Sequence, residues 1–187
     1  MKDIEVELKF KLPLETKASL FQFLEKNAKL SRKSFQKDSY FAPSHRDFLA
    51  KRPINEWLRI RESNKGNSIN YKNRKEQDGK QLDYCDEYET LLEKPDQIEK
   101  ILLALNINPL IVVNKKRTSF LYQNVEISID EVEELGNFVE LEMKGEYSSF
   151  EEALAYLYAL AEQLGIQREG EDHKGYPRLL LEQKGIL

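Results

Sequence analysis

Hydrophobic and charged residues alternate at the start of the chain and again in many later segments. In the first segment Glu5, Glu7 and Lys9 are separated by Val6 and Leu8. A period of two is typical of a strand that has one apolar face and one charged face. The pattern predicts strands over residues 3–12, 31–41, 56–62, 68–74, 82–91, 109–119, 121–130 and 138–144.

Apolar residues at helical spacing predict helices between these strands. One helix begins after Pro13, a second begins at Pro95, and a third is capped by either Ser148 or Ser149. A shorter helix is predicted over residues 176–184. The order before that last helix is β-α-ββββ-α-βββ-α. It has no link long enough for many parallel crossovers, so we expect a mainly antiparallel sheet.

The charged faces of these strands could point to solvent or into a cavity. An antiparallel sheet with one solvated face gives the same alternation, which is the simplest interpretation of any single strand. The signs of the charges are segregated, however, with Arg59 and Arg61 on one strand and Glu140 and Glu142 on another. Three amphipathic helices also need an apolar sheet surface to cover. These features favour charges that point into a closed sheet of about eight strands, which has room for a ligand.

Composition narrows the class of function. The chain has 187 residues, 40% hydrophobic and 33% charged, so one domain over residues 1–187 is expected. A net charge of −4 argues against bulk nucleic-acid binding. No apolar run approaches the roughly 18 residues of a membrane span, so no membrane association is expected. Cys85 is the only cysteine, which excludes an internal disulfide and makes the cytoplasm the simplest location.

Charges of both signs inside a tunnel would need compensation, because an unpaired buried charge costs several kcal/mol. A divalent metal on the carboxylates and a polyphosphate on the Arg and Lys side chains would provide it. Mg²⁺ commonly binds one or two carboxylates together with substrate phosphates, and guanidinium groups bind phosphate oxygens in a bidentate manner. The pattern therefore predicts phosphoryl or nucleotidyl transfer, in which positioning and charge neutralisation carry most of the catalysis.

The chain carries an ordered set of short motifs. The first is Glu5-x-Glu7-x-Lys9. The others, in order along the chain, are Asp38-Ser39-Tyr40-Phe41, Leu58-Arg59-Ile60-Arg61, Tyr71-Lys72, Lys115-Lys116-Arg117, Ser128-Ile129-Asp130-x-Val132-x-x-Leu135-Gly136-x-Phe138-x-Glu140-x-Glu142 and Tyr176-x-x-Leu179-Leu180. In these motifs and their order the sequence resembles the CYTH superfamily, the triphosphate tunnel metalloenzymes. The likeness spans essentially the whole chain and is greatest for the class IV adenylate cyclase and thiamine triphosphatase-like branch.

The resemblance implies a closed eight-stranded antiparallel β-barrel, an α+β tunnel with helices packed on its outside, that binds a triphosphate and one or two Mg²⁺ or Mn²⁺ ions. It also implies a role for each matching residue. The metal ligands would be Glu5, Glu7, Asp130, Glu140 and Glu142. The phosphate-binding residues would be Lys9, Arg59, Arg61, Lys72, Lys115 and Arg117. The residues that carry catalysis would be Glu5, Glu7, Lys9, Arg59, Lys72, Arg117 and Glu142.

The residues and the resemblance are compatible with three functions. The first is a metal-dependent hydrolase of inorganic triphosphate, thiamine triphosphate or a nucleoside triphosphate such as ATP. The second is a class IV adenylate cyclase, which makes cyclic AMP and pyrophosphate from ATP. The third is a non-catalytic polyphosphate-binding module, which would not need so many carboxylates facing the ligand. We expect hydrolysis, by a monomer or homodimer. The polar segment over residues 75–80, predicted to be a loop, carries no recognisable nucleoside-binding motif.

Overall fold

The computed structural model describes residues 6–77 and 80–187, with side chains at all of these positions except 75–77 and 80–85. Within these residues eight strands and four α-helices follow one another. The strands are β1 (Glu7–Lys11), β2 (Lys29–Pro43), β3 (Glu56–Ser63), β4 (Asn67–Gln77), β5 (Lys80–Leu92), β6 (Ile107–Tyr122), β7 (Val125–Val132) and β8 (Gly136–Met143). The helices are α1 (Leu14–Asn27), α2 (Pro95–Ala104), α3 (Phe150–Gln163) and α4 (Tyr176–Gln183), with a short 3₁₀ helix over Arg168–Gly170.

The order of the elements confirms the predicted β-α-ββββ-α-βββ-α sequence and the short helix after it. The predicted cap of α3 is also confirmed, since the Ser149 side chain accepts a hydrogen bond from the backbone N–H of Glu152. The loop prediction over residues 75–80 was wrong in the described part, because β4 continues to Gln77 and β5 begins at Lys80. The two strands pair there past a register shift. Pairing between backbones needs no apolar alternation, so the sequence pattern did not indicate it.

The eight strands form one sheet in the order β1-β8-β7-β6-β2-β3-β4-β5. Every pairing whose register is described is antiparallel, as predicted. The prediction of a closed β-barrel was wrong, because among the described residues no pairing joins β1 to β5. The backbone of β1 bonds to a later segment as well as to β8: Phe10 forms a bridge with Glu171, and the N–H of Asp172 donates to the Lys9 carbonyl. Alternation shows which face of a strand is polar, but it does not show whether the end strands of a sheet meet.

The chain divides into two compact units. In the first unit α1 and α3 share an apolar core with β1, β7 and β8 that includes Phe10 and Leu157. In the second unit α2 contributes Leu102 to a smaller core. The prediction of one domain over residues 1–187 stays a prediction. No helix in the described part of the chain is both long and apolar enough to cross a membrane. The units consist of Met1–Phe35 with Lys115–Leu187, and of Gln36–Asn114.

Gly170 lies where the 3₁₀ helix passes close to β1. A β-carbon at this position would lie 2.8 Å from the backbone carbonyl oxygen of Lys11, so an added side chain would force the backbone to move. We expect Gly170→Ala to lower the unfolding free energy by about 1–3 kcal/mol, the usual cost of overpacking, as measured by urea denaturation. Gly145→Ala is the matched control, because its β-carbon would meet the side chain of Asn124 at 3.3 Å. Equal effects of the two substitutions would contradict the close approach.

Candidate functional site

A group of charged side chains in the first unit lies on the face of the sheet opposite the helices. Val139 of β8 is buried in the apolar core, so Glu140, the next residue along the strand, points to the other face. Strand register places Lys9 of β1 opposite Glu140, and Arg117 of β6 opposite Asp130 of β7. Residues that face each other across strands are close enough for direct side-chain contact. Four strands thus bring charges of both signs together.

Arg117 is the centre of these contacts. Its Nε and Nη2 atoms donate to Asp130 Oδ1 and Oδ2 at 2.7 and 2.6 Å, and its Nη1 donates to Glu140 Oε1 at 3.0 Å. The fork-shaped pairing with Asp130 is the geometry in which guanidinium and carboxylate groups bind most strongly. Asp130 has no exposed surface, whereas the Arg117 side chain keeps 13% of its surface exposed. The pair is therefore held inside the protein while part of the arginine stays accessible.

Two lysines complete this group. Lys9 Nζ lies 3.2 Å from Glu140 Oε2, and Lys115 Nζ lies 3.7 Å from Asp130 Oδ2. We call Lys9, Lys115, Arg117, Asp130 and Glu140 the Arg117 cluster. Its three cations face two carboxylates, so the cluster carries an excess of positive charge in a largely buried place. Such an excess suits an anion with several oxygen atoms, because guanidinium and ammonium groups form their strongest hydrogen bonds with charged oxygen acceptors.

The Arg117 cluster shifts the pKa values of its own members. Burial raises the pKa of Glu140, but the charges of Lys9 and Arg117 outweigh burial and hold that pKa well below its usual value. Burial also raises the pKa of Asp130, and the nearby Lys115 and Arg117 lower that pKa by more. For Arg117 burial lowers the pKa, whereas Glu140 and Asp130 raise the pKa well above its usual value. Both carboxylates and the guanidinium are therefore charged at neutral pH.

Acid is expected to destabilise the Arg117 cluster. A carboxyl group whose pKa is lower in the folded chain contributes stability above its unfolded pKa, and that contribution is lost as the pH falls toward the folded pKa. The pKa shifts of Asp130 and Glu140 are both downward. The unfolding free energy should therefore fall as the pH drops below about 4, and Glu140→Gln should make this fall less steep. Urea denaturation at several pH values measures this dependence. If the unfolding free energy of Glu140→Gln falls with pH as steeply as that of the wild type, Glu140 does not contribute to stability in this way.

The same face carries a row of three carboxylates, which we call the acidic row. Glu142 of β8 lies opposite Glu7 of β1 on one side and opposite Glu126 of β7 on the other. Like charges directly opposite each other destabilise a sheet unless something compensates them. Glu142 accepts a hydrogen bond from Lys144, and Glu126 accepts one from Arg32. The Glu7 side chain is exposed and forms no hydrogen bond or salt bridge with the described residues, although its charge, against the effect of burial, helps to raise the pKa of Lys9.

The acidic row is the part of this face that fits a divalent cation. Carboxylate oxygens are the donors that Mg²⁺ and Mn²⁺ prefer. Within residues 6–77 and 80–187, no group of three or more His, Cys, Asp or Glu side chains is placed to hold a metal ion. Glu7 and Glu142 lie opposite each other on neighbouring strands. They could supply two protein carboxylates, with water and substrate as the other ligands, which is the usual arrangement for Mg²⁺. Glu5, a predicted ligand, lies outside the described residues.

The second unit has a charged group of its own, centred on Asp38 of β2. Asp38 is buried and accepts from Nε and Nη2 of Arg61, both at 2.6 Å, in a second fork-shaped pair. Arg59 Nη1 lies 3.8 Å from Asp38 Oδ2. Arg59 Nε is buried and has no hydrogen-bond partner in the described part of the chain. A buried N–H without a partner costs about 1–3 kcal/mol, so Arg59 is suited to an added acceptor.

Lys72 of β4 is held by a carboxylate of β5. Its Nζ lies 2.9 Å from Glu87 Oε2, and Glu87 also accepts a hydrogen bond from the Asn70 side chain. Glu89, two residues further along, accepts from Ser68. The Lys72 side chain is 39% exposed. Polar and charged partners on β4 and β5 thus fix the position of this lysine while leaving part of its side chain accessible to solvent.

The structure brings the predicted site residues together in separate groups. Five of them form the Arg117 cluster, Glu7 and Glu142 belong to the acidic row, Arg59 and Arg61 surround Asp38, and Lys72 is paired on β4. Asp130 and Glu140 were predicted as metal ligands, and in the structure all four of their carboxylate oxygens contact cations. Their assignment as ligands stays a prediction.

Several residues of the site were not among the predicted site residues, and two of them contact the predicted cations or their partners from buried positions. One is Asp38, which aligns two arginines from the neighbouring strand. The other is Tyr176, whose hydroxyl donates to Asp130 Oδ2 at 2.8 Å. Both occur in the motifs that resemble the CYTH superfamily, and this was the only signal available. Nothing in the local spacing shows that either side chain reaches a charged partner, because that depends on the register of distant strands.

Comparison with known proteins finds likeness over nearly the whole chain. The family model named CYTH domain matches residues 3–176. A Methanocaldococcus jannaschii protein called "Putative adenylate cyclase" is 30% identical over 188 residues, which cover 98% of this chain and 99% of that protein. A solved Pyrococcus horikoshii structure is 28% identical with a TM-score of 0.75, over 96% of this chain and 99% of that one. A second solved Pyrococcus horikoshii structure is 26% identical with a TM-score of 0.72, over 92% of this chain and 97% of that one.

The matched residues include the whole second unit and, in the first unit, both the Arg117 cluster and the acidic row. Every residue of the Arg117 cluster, of the acidic row and of the group around Asp38 falls within them. The resemblance inferred from the sequence motifs is thereby confirmed over the part of the chain that carries the candidate chemistry. A match of this extent, together with the relative that is alike along its full length, shows that this chain belongs to the CYTH domain family.

Proposed function

We propose that residues 1–187 act as one triphosphate-binding domain that hydrolyses its substrate in a divalent-metal-dependent reaction. The observation that carries this proposal is the Arg117 cluster, in which three cations converge with two carboxylates on a largely buried face. The excess positive charge and the fork of donors on Arg117 suit the oxygen-rich phosphates of a triphosphate. Membership of the CYTH family supports the same class of substrate.

Lys9, Lys115 and Arg117 are the proposed phosphate-binding residues of the first unit. Their side chains are already desolvated and held by Asp130 and Glu140, so binding exchanges one set of charged oxygen partners for another. A preorganised site of this kind pays less in lost side-chain freedom when the ligand arrives. Arg59, Arg61 and Lys72 are proposed to bind phosphate oxygens as well, and the buried Nε of Arg59 is a donor that lacks an acceptor.

Glu5, Glu7 and Glu142 are proposed to hold the cation, Mg²⁺ or Mn²⁺. When bound, such an ion neutralises phosphate charge and activates water. Glu7 fits this role because it is exposed, it faces a second carboxylate across the strands, and no cation among the described residues contacts it. Asp130 and Glu140 are proposed to set the positions of the three cations, since their oxygens already accept from those cations. Their predicted role as metal ligands would require these oxygens to exchange a cation of the chain for the metal ion.

The residues of the Arg117 cluster are placed for the electrostatic part of the reaction. Phosphoryl transfer passes through a loose transition state whose charge is spread over the phosphate oxygens, so catalysis depends mainly on positioning and charge stabilisation. Arg117 and Lys9 supply that positive charge. Glu140 holds both of them, through Oε1 and Oε2 respectively. Arg117 and Lys9, both held in place by Glu140, are therefore proposed to supply the rate enhancement.

A second candidate function is that of a class IV adenylate cyclase. It is favoured by the Methanocaldococcus jannaschii relative called "Putative adenylate cyclase", which is alike along its whole length. In that reaction the ribose 3′-hydroxyl, not water, attacks the α-phosphorus of ATP and pyrophosphate leaves. The same cations could hold the triphosphate in either case. ATP, thiamine triphosphate and inorganic triphosphate are therefore the candidate substrates, and a cytoplasmic, monomeric or homodimeric enzyme stays the prediction.

The test is ³¹P NMR of the products formed from each of the three triphosphates, with Mg²⁺ and then with Mn²⁺. Inorganic phosphate released from any of them supports hydrolysis. Cyclic AMP and pyrophosphate from ATP support the cyclase. Tight binding without turnover under all conditions would leave a polyphosphate-binding module and refute both enzymatic functions. The Glu7→Gln variant, purified in parallel, is the control for contaminating phosphatases, because a contaminant would act equally in both preparations.

A further inference from the structure

Tyr176 is held at the Arg117 cluster by the segment that precedes it. The backbone N–H of Asp172 donates to the carbonyl of Lys9 at 2.7 Å, which ties the segment to β1. The Asp172 carboxylate then accepts from the N–H groups of Lys174 and Gly175. Gly175 has a φ of +79°, a value that favours glycine. The next residue, Tyr176, begins α4 and is only 5% exposed.

The ring of Tyr176 contacts both lysines of the Arg117 cluster. Lys9 Nζ lies 4.9 Å from the ring centroid, and Lys115 Nζ lies 5.0 Å from it. Both distances are within the range of a cation–π interaction, which is strongest where the cation is removed from water. The Phe138 ring packs against Tyr176 edge to face, with centroids 4.9 Å apart. The aromatic ring is thus fixed on one side and faces two ammonium groups.

The hydroxyl of Tyr176 reaches the third cation through a carboxylate. It donates to Asp130 Oδ2 at 2.8 Å, and the same oxygen accepts from Arg117 Nη2 at 2.6 Å. One side chain therefore contacts Lys9 and Lys115 directly and orients the partner of Arg117. A tyrosine whose only task was to fill an apolar core would not need charged groups at both its ring and its hydroxyl.

We propose that Tyr176 is a positioning residue that holds the three cations of the Arg117 cluster in place for phosphate binding. This rests on the proposed function, in which those cations bind a triphosphate. An aromatic ring stabilises an ammonium group without cancelling its charge, whereas each added carboxylate would remove one positive charge from the cluster. The ring thus limits the motion of two flexible lysine side chains and leaves their charge available to the substrate.

The first measurement detects the contact itself and does not depend on any substrate. In the ¹H–¹³C NMR spectrum, the ε-CH₂ signals of Lys9 and Lys115, assigned from Lys9→Arg and Lys115→Arg variants, should be shifted upfield by the ring current of Tyr176. Tyr176→Phe should keep these shifts, and Tyr176→Leu should remove them. Unshifted lysine signals in the wild type would overturn the proposal whatever the protein does to triphosphates.

The second measurement is the affinity for inorganic triphosphate in EDTA, by isothermal titration calorimetry. We compare the wild type, Tyr176→Phe, 3,4,5-trifluorophenylalanine at position 176, and Tyr176→Leu. Fluorination keeps the shape of the ring and weakens its attraction for cations. We expect affinity about threefold weaker for Tyr176→Phe, which loses the hydrogen bond to Asp130. The fluorinated ring lacks the same hydroxyl and also weakens both cation–π contacts, so its affinity should be about tenfold weaker than that of the wild type. If Tyr176→Leu does not fold, the two aromatic variants still decide the question.

Tyr158 provides the matched control. Its hydroxyl donates to the Glu171 carboxylate at 2.8 Å, and the guanidinium carbon of Arg168 lies 4.4 Å from its ring centroid, so it has the same two kinds of contact outside the cluster. Tyr158→Leu should bind triphosphate as the wild type does. Equal affinity of Tyr176→Phe and the fluorinated variant, in proteins that do bind triphosphate, would refute the positioning role alone. A wild type that binds no triphosphate would refute the proposed function, and the positioning role with it.

Discussion

An Arg117→Ala variant should lose about 3–5 kcal/mol of unfolding free energy, because removing one partner of a buried ion pair leaves the other charge uncompensated. Asp130, which has no exposed surface, would lose both arms of the fork and keep Lys115 and Tyr176 as its contacts among the described residues. Glu140 would keep its ion pair with Lys9 and the more distant charge of Lys115. Urea denaturation at neutral pH, in EDTA, measures the change.

Arg32→Ala is the control for this experiment. Arg32 pairs with Glu126 on the same face of the first unit, but its side chain is 46% exposed and the N–O distance is 3.5 Å. Exposed pairs of this kind contribute about 1 kcal/mol or less. Arg117→Lys is a second comparison, because it keeps the charge but loses the fork-shaped pairing with Asp130. Its loss of unfolding free energy should lie between those of Arg117→Ala and Arg32→Ala. If Arg117→Ala lowers the unfolding free energy no more than Arg32→Ala does, the Arg117 cluster does not stabilise the fold as a buried network.

Glu7→Gln should reduce turnover by about 10²–10³-fold, the several kcal/mol that a bound metal contributes to a phosphoryl-transfer barrier. The substitution keeps the size of the side chain and removes its charge. The midpoint of urea denaturation should not fall, because Glu7 is exposed and its neutralisation removes the repulsion between it and Glu142, a residue of the same charge. Initial rates with the best substrate found by ³¹P NMR, measured over a range of metal concentrations, check the prediction.

Glu131→Gln is the matched control for Glu7→Gln. Glu131 is an exposed carboxylate of β7 that pairs with Lys17, and neither residue belongs to the site. Its neutralisation should leave both turnover and stability near those of the wild type. Full activity in Glu7→Gln would remove Glu7 from the metal site. Loss of activity that excess Mn²⁺ restores would instead support it, since a weakened ligand set is expected to bind metal less tightly.

The elements of this fold could be predicted from the sequence, and the closure of the sheet could not. Alternation over segments such as 56–62 and 138–144 depends only on which face of a strand is polar, and all eight predicted strands exist. Whether the first and last strands of a sheet pair depends on twist and edge contacts. The bonding of β1 to Glu171 and Asp172 involves a segment with no alternation at all.

The types of residue in the site could also be predicted, but their partners could not. Spacing of two along β8 placed Glu140 and Glu142 on one face, as the strand confirms. It could not show that Glu140 pairs with Lys9 and Arg117 while Glu142 faces Glu7, because this depends on the register of β1, β8 and β6. Two carboxylates at adjacent positions on the same face therefore differ in environment.

The pairing of β1 with β8 has a consequence for the synthesis of this protein on the ribosome. The two strands are separated by roughly 130 residues, which synthesis at about 5–20 residues per second needs on the order of ten seconds to complete. During that time Leu8 and Phe10, both buried in the finished fold, have no partner strand. A nascent chain that stalls before Gly136 keeps this apolar edge open to other chains. Such fragments are expected substrates of chaperones and proteases, because the strand that completes both the core and the charged face has not yet been made.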